Sequence, residues 1–143
     1  MNRLSIEVDG LSHGDLPIPV ASRIGPFLVT GGVLGVNRLT HELPEDASEQ
    51  ADLMFANLVA VLEAGGATPE CVLKLTIWIK DRKWRSIVDP GWLRYFPDPV
   101  SRPARHLLVQ DLPGKMLIQC EAMAICPEPI AAAKDDPISG GTS

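Results

Sequence analysis

Arg105 is the residue whose setting says most about chemistry. It closes the run Ser101-Arg102-Pro103-Ala104-Arg105, at the mouth of a segment that reads as a strand. Pro99 and Pro103 keep the approach extended, because proline fixes its own φ and drives the preceding residue out of the helical region. A guanidinium held there presents a planar fork of donors, which grips a carboxylate through two parallel hydrogen bonds. An arginine exposed on an edge strand has the same spacing, so the pattern alone leaves both readings open. A second segment, carrying Gln119 and Glu121, follows the Leu112-Pro113-Gly114 turn, and residues two apart share one face of a strand. No activated nucleophile accompanies them: the chain has neither a serine elbow nor a local cysteine–histidine motif.

Other candidate groups read as structural. The three histidines are scattered and Cys71, Cys120 and Cys126 lack Cys-x-x-Cys spacing, so no metal site is expected; the cysteines read as reduced thiols, at least two of them packed as small apolar residues. Gly31, Gly32 and Gly35 are not followed by the Lys-Ser/Thr pair of a phosphate loop, and no cofactor is expected. His13, ahead of Pro17-Ile18-Pro19, reads as a solvated loop residue, with a place lining a cleft as the alternative. His106 points opposite to Arg105 and is expected to pack on a helix or cap a polar group.

Around these residues the elements are legible. Residues 17–31 read as two short strands about the Ile24-Gly25-Pro26 turn. Asp46, with Glu49 three residues on, starts a helix; Ala51, Met54, Phe55, Leu58, Val61 and Leu62 form its core stripe, and Gly65-Gly66 ends it. From Cys71 to Lys80 the residues alternate, with Leu73, Leu75, Ile77 and Ile79 on a buried face and Lys74, Thr76, Trp78 and Lys80 on a mixed one. Trp78 on the mixed face suggests that this side meets another subunit. Residues 82–96 read as a turn and then a helix, with Asp89 as N-cap and Pro90 at the first position. Strands at about 104–110 and 115–125 follow, joined by a hairpin-like loop. This order predicts an α+β domain, a mixed sheet with two helices on one face, whose other face is covered by self-association.

Composition bounds the partners. At 143 residues, 45% hydrophobic and 22% charged, the chain is expected to be one soluble domain over 1–126, with a flexible tail over 127–143 rich in Pro, Gly, Ala and Ser. No apolar run is long enough to cross a bilayer and the N-terminus lacks the apolar core of a signal peptide, which predicts a cytoplasmic protein with no membrane partner. A net charge of −5 argues against nucleic acid. The densest basic stretch, Lys80 to Arg85, is broken by Asp81 and Trp84 and reads as a solvated helix start.

From about Pro17 to Ala124 the chain resembles the Rid, or YjgF-like, family of enamine/imine deaminases. Phe27-Leu28-Val29-Thr30-Gly31-Gly32 is similar to the family's hydrophobic-Thr-Ser-Gly strand end, and the segment Asn57 to Gly66 to its "NLxxxLxxAG" helix end. Val72 to Ile79 is similar to "VVKxTVYL". Trp92 and Phe96 stand before a proline, Arg102-Pro103-Ala104-Arg105 follows, and Gln119 to Ala124 is similar to "EIEAIA". The order of these pieces carries the resemblance more than any one of them.

The resemblance implies a chorismate-mutase-like fold in a homotrimer whose sheets form a central barrel, with sites in the clefts between subunits. It implies hydrolysis of a small 2-imino or enamine acid, with the substrate carboxylate on Arg105 and the Thr30 hydroxyl and the backbone N–H near Gly31 completing the pocket. Gln119 stands where the family has a glutamate thought to position or activate water; an amide can orient water but accepts no proton at neutral pH. Glu121 matches a second glutamate that reads as structural. Asp89 takes the place of an asparagine, Leu107 that of a Cys or small residue, and the family's tyrosine near the N-terminus is missing from Leu16-Pro17-Ile18-Pro19. The alternative function is a non-catalytic protein binding small carboxylate metabolites at the same cleft. An RNA-cleaving or translation-inhibiting role is disfavoured by the acidic charge.

Overall fold

The structure is a computed structural model that describes residues 2–129. Its elements are β1 (Arg3–Ile6), β2 (Ala21–Ile24), β3 (Phe27–Thr30), β4 (Val33–Leu34), α1 (Ala47–Ala64), β5 (Val72–Ile79), α2 (Asp89–Tyr95), β6 (Ala104–Val109) and β7 (Ile118–Ile125). Short 3-10 turns, Pro69–Cys71 and Arg82–Val88, precede β5 and α2. The expected tail lies, from residue 130 on, outside the described residues.

The strands form one mixed sheet in the order β1-β2-β3-β7-β5-β6, with β4 also paired to β7. The hairpin expected between the last two strands is absent. β6 pairs in parallel with β5, and β5 in turn runs antiparallel to β7, so the chain after β6 crosses over β5 before it re-enters the sheet. The helices cover one face. Met54, Phe55, Leu58 and Leu62 of α1 bury Leu75, Ile77, Cys120 and Ala122 in a single core.

α1 starts where the capping signal places it: the Glu49 backbone N–H donates to the Asp46 carboxylate at 3.0 Å. Gly65 N–H returns to Val61 O at 3.1 Å and ends the helix. The core stripe also carries two buried amides the hydropathy pattern does not flag. Asn57 donates to Leu34 O and Val36 O, each at 2.8 Å, and so fixes β4. Gln50, fully buried, donates to Pro44 O at 2.8 Å and Lys115 O at 2.9 Å, and accepts from Leu117 N–H at 2.9 Å, which ties the loop before β7 to the helix. Gln50→Leu is nearly isosteric but strands these three groups without a partner. It is expected to cost about 3 kcal/mol of stability, read as a lower urea midpoint with an unchanged slope.

Two irregularities interrupt the pairing with β7. Val72 faces Ala124 while Lys74 faces Met123, so Leu73 is an extra residue on β5. The bulge turns Leu73 outward to 60% exposure, against the expectation that it shares the buried face of Leu75 and Ile77. The second lies between β3 and β4. Val29 faces Met123 and Val33 faces Cys120, so residues 30–32 stand opposite only 121 and 122. Thr30-Gly31-Gly32 is therefore a bulge in one continuous strand line, with β4 its resumption.

The sheet's other face is open. Ile24, Phe27, Val29 and Met123 are 42–64% exposed and neighbour one another across β2, β3 and β7. Trp78 lies on this face as expected, but it is half-buried, and the exposed apolar surface is centred on Phe27 and Met123 instead. His106 is exposed on the open face too. It faces Thr76, so its expected packing on a helix does not occur: the helices are on the Arg105 side. Among the described residues no helix is long and apolar enough to cross a membrane.

Candidate active site

Arg105 is the second residue of β6, an edge strand, and pairs with Leu75. Cross-strand partners share a face, so its side chain leaves on the helix side, at the rim of the core. There the guanidinium carbon lies 4.8 Å from the ring centre of Trp92, whose own ring packs on the buried Phe96 at 4.8 Å. A cation this close to an indole ring is held by the ring quadrupole. Nη1 lies 3.5 Å from Oδ1 of Asp89, and the two side chains are 30% and 61% exposed. Leu107, two residues on, points the same way and packs, partly buried, against the core. The neighbouring Arg102 takes no part: its guanidinium donates to Phe96 O at 2.8 Å and Pro97 O at 3.3 Å, bracing the loop that leads into β6.

Asp89 is not the N-cap of α2. Its backbone is already helical, at φ −63° and ψ −40°, Val88 occupies the cap position, and no side chain caps the helix. The 3-10 turn before it runs straight into α2, so no extended residue separates the two as a cap requires. Freed from capping, the Asp89 carboxylate faces Arg105. Trp92, three residues further along the same helix face, is the partner that sequence reasoning passed over. The Asp89-x-x-Trp92 spacing ahead of Arg105 is the signal that could have found it.

The second group of expected residues lies elsewhere. Thr30 is buried and its hydroxyl is committed: it donates to Gly31 O at 2.8 Å and accepts from Ala122 N–H at 3.0 Å. The Gly31 N–H donates to Val20 O at 2.8 Å. Within this chain both groups spend their hydrogens on backbone carbonyls and hold the bulge in shape. Gln119 faces Leu34 and Trp78, and its amide rests on Gly32, where a Cβ would fall 1.9 Å from Nε2. Gly32 is thus the residue that admits Gln119, a close approach invisible in the sequence. His13 is half-buried, not solvated. Its Nε2 comes within 3.9 Å of a Cβ placed on Gly31, and it lines a cavity of about 250 Å³ with Ser12, Gly32, His41 and Leu43. Glu121 is exposed on the open face opposite Thr76. Burial raises the thiol pKa of Cys120, and Glu121 beside it adds to the shift; Cys126 is raised by burial as well. These two buried cysteines are packing residues, as expected.

One chain does not bring the two groups together. Arg105 shares a row of the sheet with Leu75 and Ala122, whereas Gln119 is three residues from Ala122 and so emerges on the opposite face. Thr30, bonded to Ala122, is three strand spacings from Arg105, about 14 Å. Within one chain Arg105 and Gln119 therefore open to different sides of the sheet. A site using both needs a second copy of the chain.

A mixed sheet with two helices on one face is the YjgF-like architecture. The YjgF gene product of Escherichia coli matches it with a TM-score of 0.76 at 27% identity, over 85% of this chain and 98% of that one. The profile of the family described as endoribonuclease L-PSP matches residues 19–126. A RutC family protein of Aquifex aeolicus is 33% identical over 115 residues, 76% of this chain and 92% of its own. A 2-iminobutanoate/2-iminopropanoate deaminase of Escherichia coli is 31% identical over 104 residues, 71% of this chain and 81% of its own. The chain belongs to this family, the Rid or YjgF-like proteins.

Proposed function

We propose that the protein is a cytosolic hydrolytic deaminase of small 2-imino or enamine carboxylic acids, working as a homotrimer with its sites between subunits. The observation that carries this reading is the Arg105 seat, a part-exposed guanidinium 4.8 Å from the centre of the Trp92 ring at the rim of the sheet. Substrate carboxylate takes the fork, an interaction contributing roughly 1.5–3 kcal/mol. A neighbouring copy brings Gln119 to the cleft, where its amide orients a water toward C2. The water oxygen bonds to C2 of the protonated imine, the C–N bond breaks, and both water protons end on nitrogen; the products are the 2-oxo acid and ammonium. The open face, with Phe27, Val29 and Met123 exposed, supports self-association, and the relative from Escherichia coli named for imine deamination supports the reaction class.

Gln119 in place of a carboxylate favours a second reading, a protein that binds carboxylate metabolites without turning them over. Freshly generated 2-iminobutanoate separates the two: the deaminase reading expects release of ammonium and 2-oxobutyrate above the spontaneous rate, and binding alone leaves that rate unchanged. RNA cleavage, which the family's description names, has little support in a chain of net charge −5.

A further inference from the structure

The seat of Arg105 carries its own anion. Asp89 Oδ1 stands 3.5 Å from Nη1, longer than a charge-assisted hydrogen bond, so the pair is loose and the fork is not filled. A carboxylate arriving on the free donors still comes to rest beside Asp89, and two like charges at that separation repel. We propose that Asp89 makes the seat selective for ligands that carry a positive nitrogen on the carbon next to the carboxylate. Such a ligand exchanges one loose ion pair for two: its carboxylate takes Arg105 and its nitrogen takes Asp89. A plain carboxylate or a 2-oxo acid pairs with Arg105 but brings nothing to offset its repulsion from Asp89.

The selectivity presupposes the carboxylate seat proposed above and extends it to the order of events. The protonated imine has the cationic nitrogen; the 2-oxo acid left after hydrolysis has a neutral oxygen in its place. Asp89 therefore holds substrate and drives product off the same arginine. Asn at this position would do neither. Asp89 makes no capping bond and is largely exposed, so Asp89→Asn should fold normally.

The test is ligand-observed NMR titration of wild type, Asp89→Asn and Arg105→Ala with 2-aminobutyrate, a stable stand-in for the protonated imine, and with 2-oxobutyrate. Wild type is expected to bind 2-aminobutyrate about tenfold more tightly than 2-oxobutyrate, and Asp89→Asn to erase or invert that ratio by weakening the first and tightening the second. In turnover, the Asn variant should become more sensitive to inhibition by 2-oxobutyrate. Wild type that fails to bind 2-aminobutyrate, or an Asn variant that leaves the ratio unchanged, overturns the role of Asp89. If Arg105→Ala still weakens both ligands in that case, the carboxylate seat stands without the selectivity. If Arg105→Ala changes neither ligand, the seat itself is wrong and Asp89 falls with it.

Discussion

Arg105→Ala is expected to lower kcat/KM for a 2-imino acid by about 100-fold, near the upper end of the roughly 1.5–3 kcal/mol contributed by a charge-assisted contact at the reacting molecule. The fold should not suffer. The side chain sits at the rim of an edge strand, 30% exposed, and its ion pair with Asp89 is loose, so stability should change by about 1 kcal/mol or less. Arg105→Lys is the sharper variant. A lysine keeps the charge but loses the planar fork that now lies 4.8 Å from the Trp92 ring centre, and it is expected to stay within about tenfold of the alanine variant. Activity close to wild type in the lysine variant would reduce Arg105 to a steering charge. Steady-state kinetics with thermal melts of the same three proteins give the answer.

Gln119→Glu is expected to raise turnover by about tenfold or more, because a positioned general base contributes about 10²–10⁴-fold. The change is isosteric, and Gly32 already leaves room for the side-chain end. The gain should carry a signature in pH: turnover rises as the new carboxyl ionises, since only the carboxylate accepts a proton from water. The binding reading expects the opposite, no activity and weaker capture of a carboxylate ligand through like-charge repulsion. A variant that binds more weakly and gains no turnover would favour that reading. Kinetics across the acid range, beside titration with a stable carboxylate, distinguishes the two.

Local signals were legible in the sequence and non-local ones were not. Asp46, Glu49 and the Met54–Leu62 stripe act within a few residues of one another, and α1 follows from them directly. The turn at Gly25-Pro26 yields the β2–β3 hairpin for the same reason. The parallel pairing of β6 with β5 has no local signature, because the strands reach each other only after the intervening α2 has folded back. A turn-like Leu112-Pro113-Gly114 between two apolar runs therefore reads as a hairpin when it is a crossover. The bulge at Leu73 breaks an alternation that is clean on paper, since periodicity counts residues and not pairs. At the site, Arg105 was legible by residue type and by its proline-framed approach. The partnership with Asp89 and Trp92 was not, for it depends on a 3-10 turn that removes Asp89 from the cap. Thr30 and Gly31 read as ligand donors because their type allows it; only the structure shows where their hydrogens go.

In the proposed trimer Arg105 of one copy and Gln119 of the next build a single site, since one chain sets them on opposite faces of its sheet. Mixing tests it. Arg105→Ala and Gln119→Leu, each of low activity alone, are dissociated in mild denaturant, combined in equal amounts and refolded together. In the proposed trimer every mixed assembly contains one interface where an intact Arg105 meets an intact Gln119, so the mixture should regain about a quarter of wild-type activity. Light scattering should give about three times the 15.4 kDa chain mass for both variants and for the mixture. Mixed trimers that remain as inactive as either parent would contradict a site shared between subunits.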